Sequence, residues 1–366
     1  MAHTNSDTDS FDTIVIGGGQ TGLTVGYELK QRQIDFVILD ASGRVGDAWR
    51  KRWDSLVLFT PARYASLPGM PFPAKGDEFV GKDAVADYLE RYAEANDLPI
   101  RSNTRVTRVG TDSDTYVVET GGRTLRSANV IVAMADAQIP HVPDFAPDLD
   151  PDIVQLHSSQ YKKPSQLVDG PVLIVGLGNS GADIGLELAQ THQTFVSGTP
   201  NGVIPFRIEH WIGRNVGVRL VRFAAVKLLN TRTPIGRKAR PKMLKHPTAP
   251  LVRVKPADLV RAGAKRVDRV TGVHSGRPEL ADGRVLDVAN VVWCTGFRPG
   301  FDWIDVPVFD RDGRPEHERG IVESQPGFYF CGLFFQHSLW SETLVGMPID
   351  AKHIVRHLSE RKVKVS

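Results

Sequence analysis

The chain has 366 residues, 41% hydrophobic and 24% charged, with a formal net charge of +3. That length suits two domains, or one domain with another inserted into it, and the composition is that of an ordinary soluble globular protein. No run of 18 apolar residues occurs, so no membrane-spanning helix is expected. The two cysteines, Cys294 and Cys331, form no C-x-x-C pair, which argues against a dithiol redox centre and a secreted disulfide scaffold and fits a reducing, cytoplasmic setting.

The first ten residues, MAHTNSDTDS, have no basic start, apolar core or cleavage site and are expected to form a loose tail. Next come FDTIVIGGG, an apolar run of buried-strand type, a helix over 21–30, and the strand DFVILD ending at Asp40. The proline-rich stretch IPHVPDFAPDLDPDI suits an extended connector. The plan then repeats: PVLIVGLG, a helix over 180–190, and TFVSG. Two further strands, ANVIVAMA (128–135) and ANVVWCTG (289–296), occupy corresponding places late in each half. The closing PGFYFCGL strand and the helix over 347–358 need a sheet to join, and the first unit is the expected host. The expected fold is α/β, with two Rossmann-like dinucleotide-binding domains, the second inserted into the first. The expected bounds are 1–10 for the tail, 11–150 and 291–366 for the first domain, and 151–290 for the second.

Gly17, Gly19 and Gly22 fit G-x-G-x-x-G after a strand and at the start of a helix. The first glycine permits a tight turn, the second lets the backbone approach a pyrophosphate, and the third lets helix and strand touch. Asp40, 23 residues after Gly17, stands where a carboxylate accepts hydrogen bonds from ribose hydroxyls. Gly176, Gly178 and Gly181 repeat the motif, but SGTP (197–200) offers no acid in the answering place. A carboxylate there would repel a 2′-phosphate, so its absence leans towards NADP. Ser197 and Thr199 could donate to that phosphate, and Arg207 could reach it from the loop. A duplicated domain without its nucleotide is the alternative. Two dinucleotide sites with neither a redox cysteine pair nor a metal-ligand cluster point to electron transfer between a nicotinamide and a flavin, FAD being held by the first.

Around these motifs stand GRVGDAWRKRWDSLVLFTPARYASLPGMPFP (43–73), LHSSQYKKP (156–164), VVWCTGFRPG (291–300) and PGFYFCGLFFQHSLWSETLVGMPIDA (326–351). Together they resemble the class B flavin-dependent monooxygenases, in particular the bacterial branch akin to the plant YUCCA enzymes, from about Phe11 to Leu358. The resemblance implies that NADPH reduces FAD, that O2 adds to the reduced ring, and that the resulting C4a-peroxyflavin oxygenates a small lipophilic amine, sulfide, ketone or α-keto acid. It implies FAD contacts from Gly17, Gly19, Gly22, Asp40, Gly46, Trp49 and Gly332, and NADP contacts from Gly176, Gly178, Asn179, Ser180 and Gly181. His157 and Tyr161 match part of the family fingerprint that links the domains. Departures fall at Pro151 and Ile153, upstream of that His, at the AMA of 133–135, at Thr199 in place of an arginine, at Phe59 in place of an asparagine, and at Pro348 and Ile349. The rival enzyme reading is an NAD(P)H-dependent flavin oxidoreductase or oxidase without oxygen insertion. A flavoprotein that has lost NADPH use is a further alternative.

Three polar residues are candidates for the chemistry itself. His157 is read first as an orienting hydrogen-bond partner. Gln336 and His337 either line a substrate pocket or belong to a satisfied aromatic core. Ser180 narrowly misses G-x-S-x-G because Ala182 replaces the last glycine, and the eleven histidines show no metal-ligand spacing, so no metal is expected.

The charge is unevenly placed. Between Arg207 and Lys255 stand 13 of the 45 Lys and Arg but one of the 42 Asp and Glu, Glu209. Within this segment VGVRLVRFAAVKLL (216–229) has a helical alternation of apolar and basic residues. A covering helix is the first reading, a lid over a lipophilic tunnel the second, and contact with an anionic membrane surface the third. No nucleic-acid-reading motif accompanies the charge, so no nucleic-acid partner is expected. The oligomeric state is open, a dimer being compatible.

Overall fold

The computed structural model describes residues 8–245 and 248–365. In chain order the first unit holds β1 (Thr8–Ile16), α1 (Gln20–Lys30), β2 (Phe36–Leu39), α2 (Asp47–Arg50), α3 (Lys82–Ala95), β3 (Ile100–Arg101), β4 (Val106–Asp112), β5 (Thr115–Thr120) and β6 (Thr124–Val132). A crossing strand, β7 (Ile139–Pro140), leads to β8 (Val154–His157), β9 (Val172–Val175), α4 (Asn179–Leu188) and β10 (Thr194–Ser197). The second unit continues through α5 (Val218–Phe223), α6 (Pro234–Lys245), α7 (Pro256–Arg261), β11 (Lys265–Val267), β12 (Val270–His274), β13 (Arg277–Leu280) and β14 (Asn290–Trp293). A return strand, β15 (Phe297–Arg298), precedes β16 (Phe328–Phe330) and α8 (Met347–Val365).

The first sheet runs β3-β2-β1-β6-β5-β4, with β16 beside the later part of β6. β1 is parallel to β2, β6 is parallel to β1 and β16, and β4 and β5 fold back antiparallel. β2 reads FVIL with every residue buried, the continuous apolar run demanded of a strand covered on both faces. Because β16 pairs Phe328 with Val130, and α8 lies against α1, the end of the chain completes the first unit. The second sheet, β11-β10-β9-β14-β8, is parallel throughout. The insertion read from the sequence is therefore the observed topology.

Three boundaries shift. Thr8 to Ser10 extend β1 by pairing with Thr124 to Arg126, whereas residues 1–7 of the expected tail lie outside the described residues. β14 belongs between β8 and β9, since its buried NVVW run needs strands on both sides. Ala146, Leu149 and Ile153 likewise pack with Trp293 in the core of the second unit. The units thus join not at 150/151 and 290/291 but at a ribbon in which β7 and β15 pair antiparallel, Pro140 opposite Phe297.

Candidate active site between two nucleotide cradles

The two glycine turns follow one hydrogen-bond plan. Gly17 N–H donates to Leu39 O at 2.8 Å, and Gly176 N–H to Ser197 O at 2.9 Å. Ala133 N–H donates to Ile16 O at 2.8 Å, and Cys294 N–H to Val175 O at 2.7 Å. Gly17 and Gly176 sit at φ +107° and +104°, conformations open to glycine. A Cβ on Gly22 would stand 1.8 Å from Gly17 O, and one on Gly181 2.0 Å from Gly176 O. By contrast, a Cβ on Gly19 or Gly178 would meet nothing within 4 Å. Each turn is therefore closed on the protein side and open at the helix N-terminus, as a cradle for a pyrophosphate requires.

Around the first cradle the expected residues converge. Asp40 accepts from Gly18 N–H and, at 2.6 Å, from Ser42 N–H, which fixes its carboxylate beside the turn. Trp49, in α2, donates from Nε1 to Gln20 Oε1 at 3.2 Å. Gly46 starts α2 at φ +87°, against the backbone of Ala86. Gly332, at φ +91°, lies so near Thr21 that a Cβ would be 2.9 Å from its hydroxyl oxygen. Strand β16, helix α2 and the end of β2 thus all point at the first turn of α1.

The second cradle keeps its glycines but commits its expected donors elsewhere. Asn179 donates from Nδ2 to Pro250 O at 3.1 Å and accepts from Val252 N–H at 3.0 Å. Ser197 is buried, donating to Asp268 O at 2.9 Å and accepting from Val270 N–H at 3.1 Å, so it has no proton left for a 2′-phosphate. Arg207 is paired with Asp258, which Arg261 also holds at 2.7 Å. Ser197 and Arg207, expected to meet a 2′-phosphate, are thus engaged by protein partners. Thr199 remains exposed and Ser180 half-buried.

The position answering Asp40 is Gly198, directly after β10, where a Cβ would stand 3.0 Å from Leu177 N. No side chain occupies the place. Arg266, exposed on β11, donates from Nη2 to Gly198 O at 2.7 Å and brings a guanidinium to that edge. Sequence reading missed this arginine because nothing in the local sequence says that β11 runs beside β10.

The three residues weighed for chemistry are each engaged by protein partners. His157, buried at the end of β8, has Nε2 3.0 Å from Gly296 O and Nδ1 2.8 Å from Ser159 Oγ, with Phe297 edge-on to its ring. Gln336 accepts from Leu333 N–H at 3.2 Å and donates to Arg319 O at 3.3 Å. His337 is held by Thr231 at 3.0 Å, and burial first, with nearby Arg319 and Arg232 second, pushes its pKa down to about 4. Gln336 thus ties the loop after β16 to Arg319, and His337 ties it to Thr231 of the basic segment.

Three carboxyls were not singled out in the sequence, of which Asp350 is buried and Asp136 and Glu342 are half-buried. Asp136, just past β6, has its pKa raised by burial, with the backbone N–H groups of Asp136 and Phe334 opposing. Glu342 is pushed up to about 7, chiefly by burial and further by Asp136. Asp350, on α8, is also raised to about 7 by burial, with Ser341 and Arg319 opposing. Neither oxygen of Asp350 has a partner in hydrogen-bond geometry. Ser341 Oγ accepts from His337 N–H and Ser338 N–H, both at 3.0 Å, leaving its own proton free to turn towards that carboxyl.

The basic segment lies across both units. π turns over Gly213–Gly217 and Ala224–Leu228 flank α5. At one end Arg63 of the first unit donates to Asn215 at 2.9 Å, and Arg222 stacks 5.6 Å from the Tyr64 ring. At the other, Thr231 N–H donates to His337 O at 2.8 Å, Leu339 N–H to Leu229 O at 3.0 Å, and Arg240 to Phe335 O at 3.0 Å. It lies as a cover pinned to the loop that follows β16.

With this geometry established, comparison with known proteins places the chain. Residues 14–200 match the family model described as pyridine nucleotide-disulphide oxidoreductase. The chain is 36% identical to an oxidoreductase named CzcO-like from Geobacillus kaustophilus, over 95% of this chain and 98% of that one. The chain belongs to the pyridine nucleotide-disulphide oxidoreductase family. Within that family it sits with the flavin monooxygenases. It is 27% identical to a probable indole-3-pyruvate monooxygenase, YUCCA3 of Arabidopsis thaliana, over 95% of this chain and 86% of that one. A flavin-containing monooxygenase from Stenotrophomonas maltophilia superposes with a TM-score of 0.77 at 27% identity, covering 97% of this chain and 99% of that one. The disulphide of the family's description has no counterpart here. Cys294 and Cys331 are both free, and burial pushes the Cys294 thiol up to about 12 and that of Cys331 well above its ordinary value. Cys294 is half-buried and Cys331 buried, and thiols so raised are poor nucleophiles, so this chain offers no reactive cysteine pair of its own to a flavin.

Proposed function

We propose that the chain is an FAD-dependent, NADPH-driven monooxygenase that oxygenates a small lipophilic substrate, such as an amine, sulfide, ketone or α-keto acid. The observation that carries the reading is the contrast between two otherwise equivalent cradles. Beside the first, Asp40 offers a carboxylate suited to ribose hydroxyls. Beside the second, Gly198 leaves the place empty and Arg266 supplies a cation suited to a 2′-phosphate.

FAD supplies, when bound, the redox chemistry that passes electrons from NADPH to O2. The protein's part is binding, orientation and exclusion of water. Gly17, Gly19 and Gly22 with Asp40, Trp49 and Gly332 hold the flavin nucleotide, and Gly176, Gly178, Ser180, Gly181, Thr199 and Arg266 the nicotinamide nucleotide. The tied β7–β15 ribbon and His157 orient one unit on the other. The cover closes over the Phe334–Trp340 loop and keeps water from the cleft, and Glu342 holds a proton near neutral pH.

The engagement of Asn179, Ser197 and Arg207 by protein partners favours, as a second reading, a flavin oxidoreductase or oxidase without oxygen insertion. One experiment separates them. The purified yellow protein is reduced anaerobically with NADPH or NADH while flavin absorbance is followed, and O2 is then readmitted with candidate substrates. Fast bleaching by NADPH and product carrying oxygen from O2 is the expected result. Bleaching with hydrogen peroxide as the sole oxygen product leaves the second reading, and no bleaching by either nucleotide overturns both.

A further inference from the structure

The outer face of the cover is unlike the rest of the surface. Its inner face is fixed: Val218, Ala225 and Val226 are buried, and a Cβ on Gly217 would stand 2.5 Å from the Phe206 ring. The helix can therefore turn only one way. Outward it shows Trp211 at 67% exposure, Ile212 at 68%, Leu220 at 64% and Phe223 at 57%, with Val216 between them, and α6 exposes Ile235 as well. Ile212, Val216, Leu220 and Phe223 recur every three or four residues, which makes one stripe. Single exposed apolar side chains are ordinary, but a row of Ile, Val, Leu and Phe with an exposed Trp beside its start marks a surface that meets something.

Charge selects the occupant. No Asp or Glu occurs from His210 to Ala257. Arg219, Arg222 and Lys227 stand exposed along the stripe, and Arg237, Lys238, Lys242 and Lys245 are exposed on α6. A second copy meeting this face with its own would bring two such sets of cations together with no carboxylate between them. A nucleic acid would satisfy the cations and leave the apolar row in water. A bilayer containing anionic phospholipid satisfies both, because the row enters the boundary between headgroups and acyl chains while the cations meet the negative headgroups.

We infer that the outer face of residues 211–245 seats this protein on an anionic phospholipid surface. The arrangement is that of an interfacial helix lying in the membrane plane; among the described residues, no helix is long and apolar enough to cross a membrane. The inference goes beyond the proposed chemistry and does not depend on it, since docking is read without turnover. If both hold, the cover and the loop it pins lie at the lipid boundary, where a lipophilic substrate concentrates.

The test sediments the FAD-loaded protein with vesicles of phosphatidylcholine alone or mixed with phosphatidylserine, at low and high salt. Binding to the mixed vesicles is expected, reduced about ten-fold or more with phosphatidylcholine alone or at high salt. Ile212→Glu, Leu220→Glu and Phe223→Glu, combined, change only exposed positions; the variant should keep its flavin absorbance and melting temperature yet stay in the supernatant. A second variant, Arg219→Gln, Lys227→Gln and Lys238→Gln, should bind mixed vesicles more weakly while retaining the apolar row. No binding to the mixed vesicles, or binding that the glutamate variant does not reduce, overturns the inference. A wild-type dimer in light scattering that the glutamate variant splits, without vesicle binding by either, overturns it in favour of a contact between copies.

Discussion

His157 Nε2 lies 3.0 Å from the carbonyl oxygen of Gly296, so the end of β8 is tied to the strand by which the chain returns to the first unit. A carbonyl only accepts, so Nε2 carries the proton; Ser159 N–H donates to Nδ1 at 3.2 Å, so Nδ1 does not. Burial lowers the ring's pKa, which keeps this neutral tautomer in place at pH 7. His157→Ala is expected to lower stability by about 1–3 kcal/mol through the unpaired carbonyl. FAD should be retained while reduction by NADPH slows, because the ribbon orienting the units is loosened. Calorimetry and anaerobic stopped-flow reduction read the two effects. Flavin loss without a change in reduction rate would rule out an orienting role.

The glycines of each cradle should separate by substitution. Gly22→Ala places a Cβ 1.8 Å from Gly17 O and is expected to cost both stability and FAD. Gly19→Ala meets nothing within 4 Å, so the protein should fold with unchanged melting behaviour of its FAD-free form and yet bind FAD weakly. Gly178→Ala should keep FAD and raise the Kd for NADPH. Flavin content after purification and nucleotide titration distinguish these outcomes.

Those cradles were legible because strand, turn, helix and answering residue are consecutive in sequence, and each step has a local cause. Asp40 was legible for the same reason. The partners of Gln336 and His337 were not, since Arg319 and Thr231 lie far from them along the chain. The same holds for Ser197, whose hydroxyl meets Asp268 and Val270, some seventy positions away along the chain. The domain boundaries moved because Ala146 and Leu149 choose the core they pack against, which proline content does not predict. Arg266 became visible only when β11 was placed beside β10.

Arg266 provides a direct test of nucleotide choice. Its guanidinium lies at the edge left open by Gly198. Arg266→Ala should raise the Kd for NADPH by about ten-fold, the weight of one charge-assisted hydrogen bond to phosphate, while leaving NADH nearly unchanged. Arg266→Lys should restore part of the difference. Calorimetric titration with NADP+ and NAD+ reads this without turnover, and equal loss for both nucleotides would remove Arg266 from 2′-phosphate recognition.

Stability should depend on pH in two opposed ways. His317, His337 and His353 are each pushed down to about 4, mainly by burial, so their contribution is present above the unfolded value near 6.5 and is lost as pH falls towards 4. Asp350 is raised to about 7, so its contribution is present below the unfolded carboxyl range and is lost as pH rises through 7. Asp350→Asn removes only the second effect. The melting temperature of this variant, relative to wild type, should therefore rise between pH 5 and pH 8. A constant difference across that range would mean that Asp350 does not titrate there.

Glu342 carries the last prediction. Its pKa is raised to about 7 by burial and by Asp136, so near neutrality it is the described carboxyl of the loop after β16 best able to take or give a proton. If it does so for the reacting groups, the pH profile of turnover should bend near 7, and Glu342→Gln should flatten that bend while leaving the anaerobic rate of flavin reduction by NADPH within about two-fold, since no hydrogen bond to the nucleotide cradle is altered. Glu342→Asp should keep a bend at shifted pH. Removing the neighbour sharpens the test: Asp136→Asn takes away the like charge that raises Glu342, so the bend should move to lower pH. A profile unchanged in both Glu342→Gln and Asp136→Asn would assign the bend to another group and leave the pair a structural role alone.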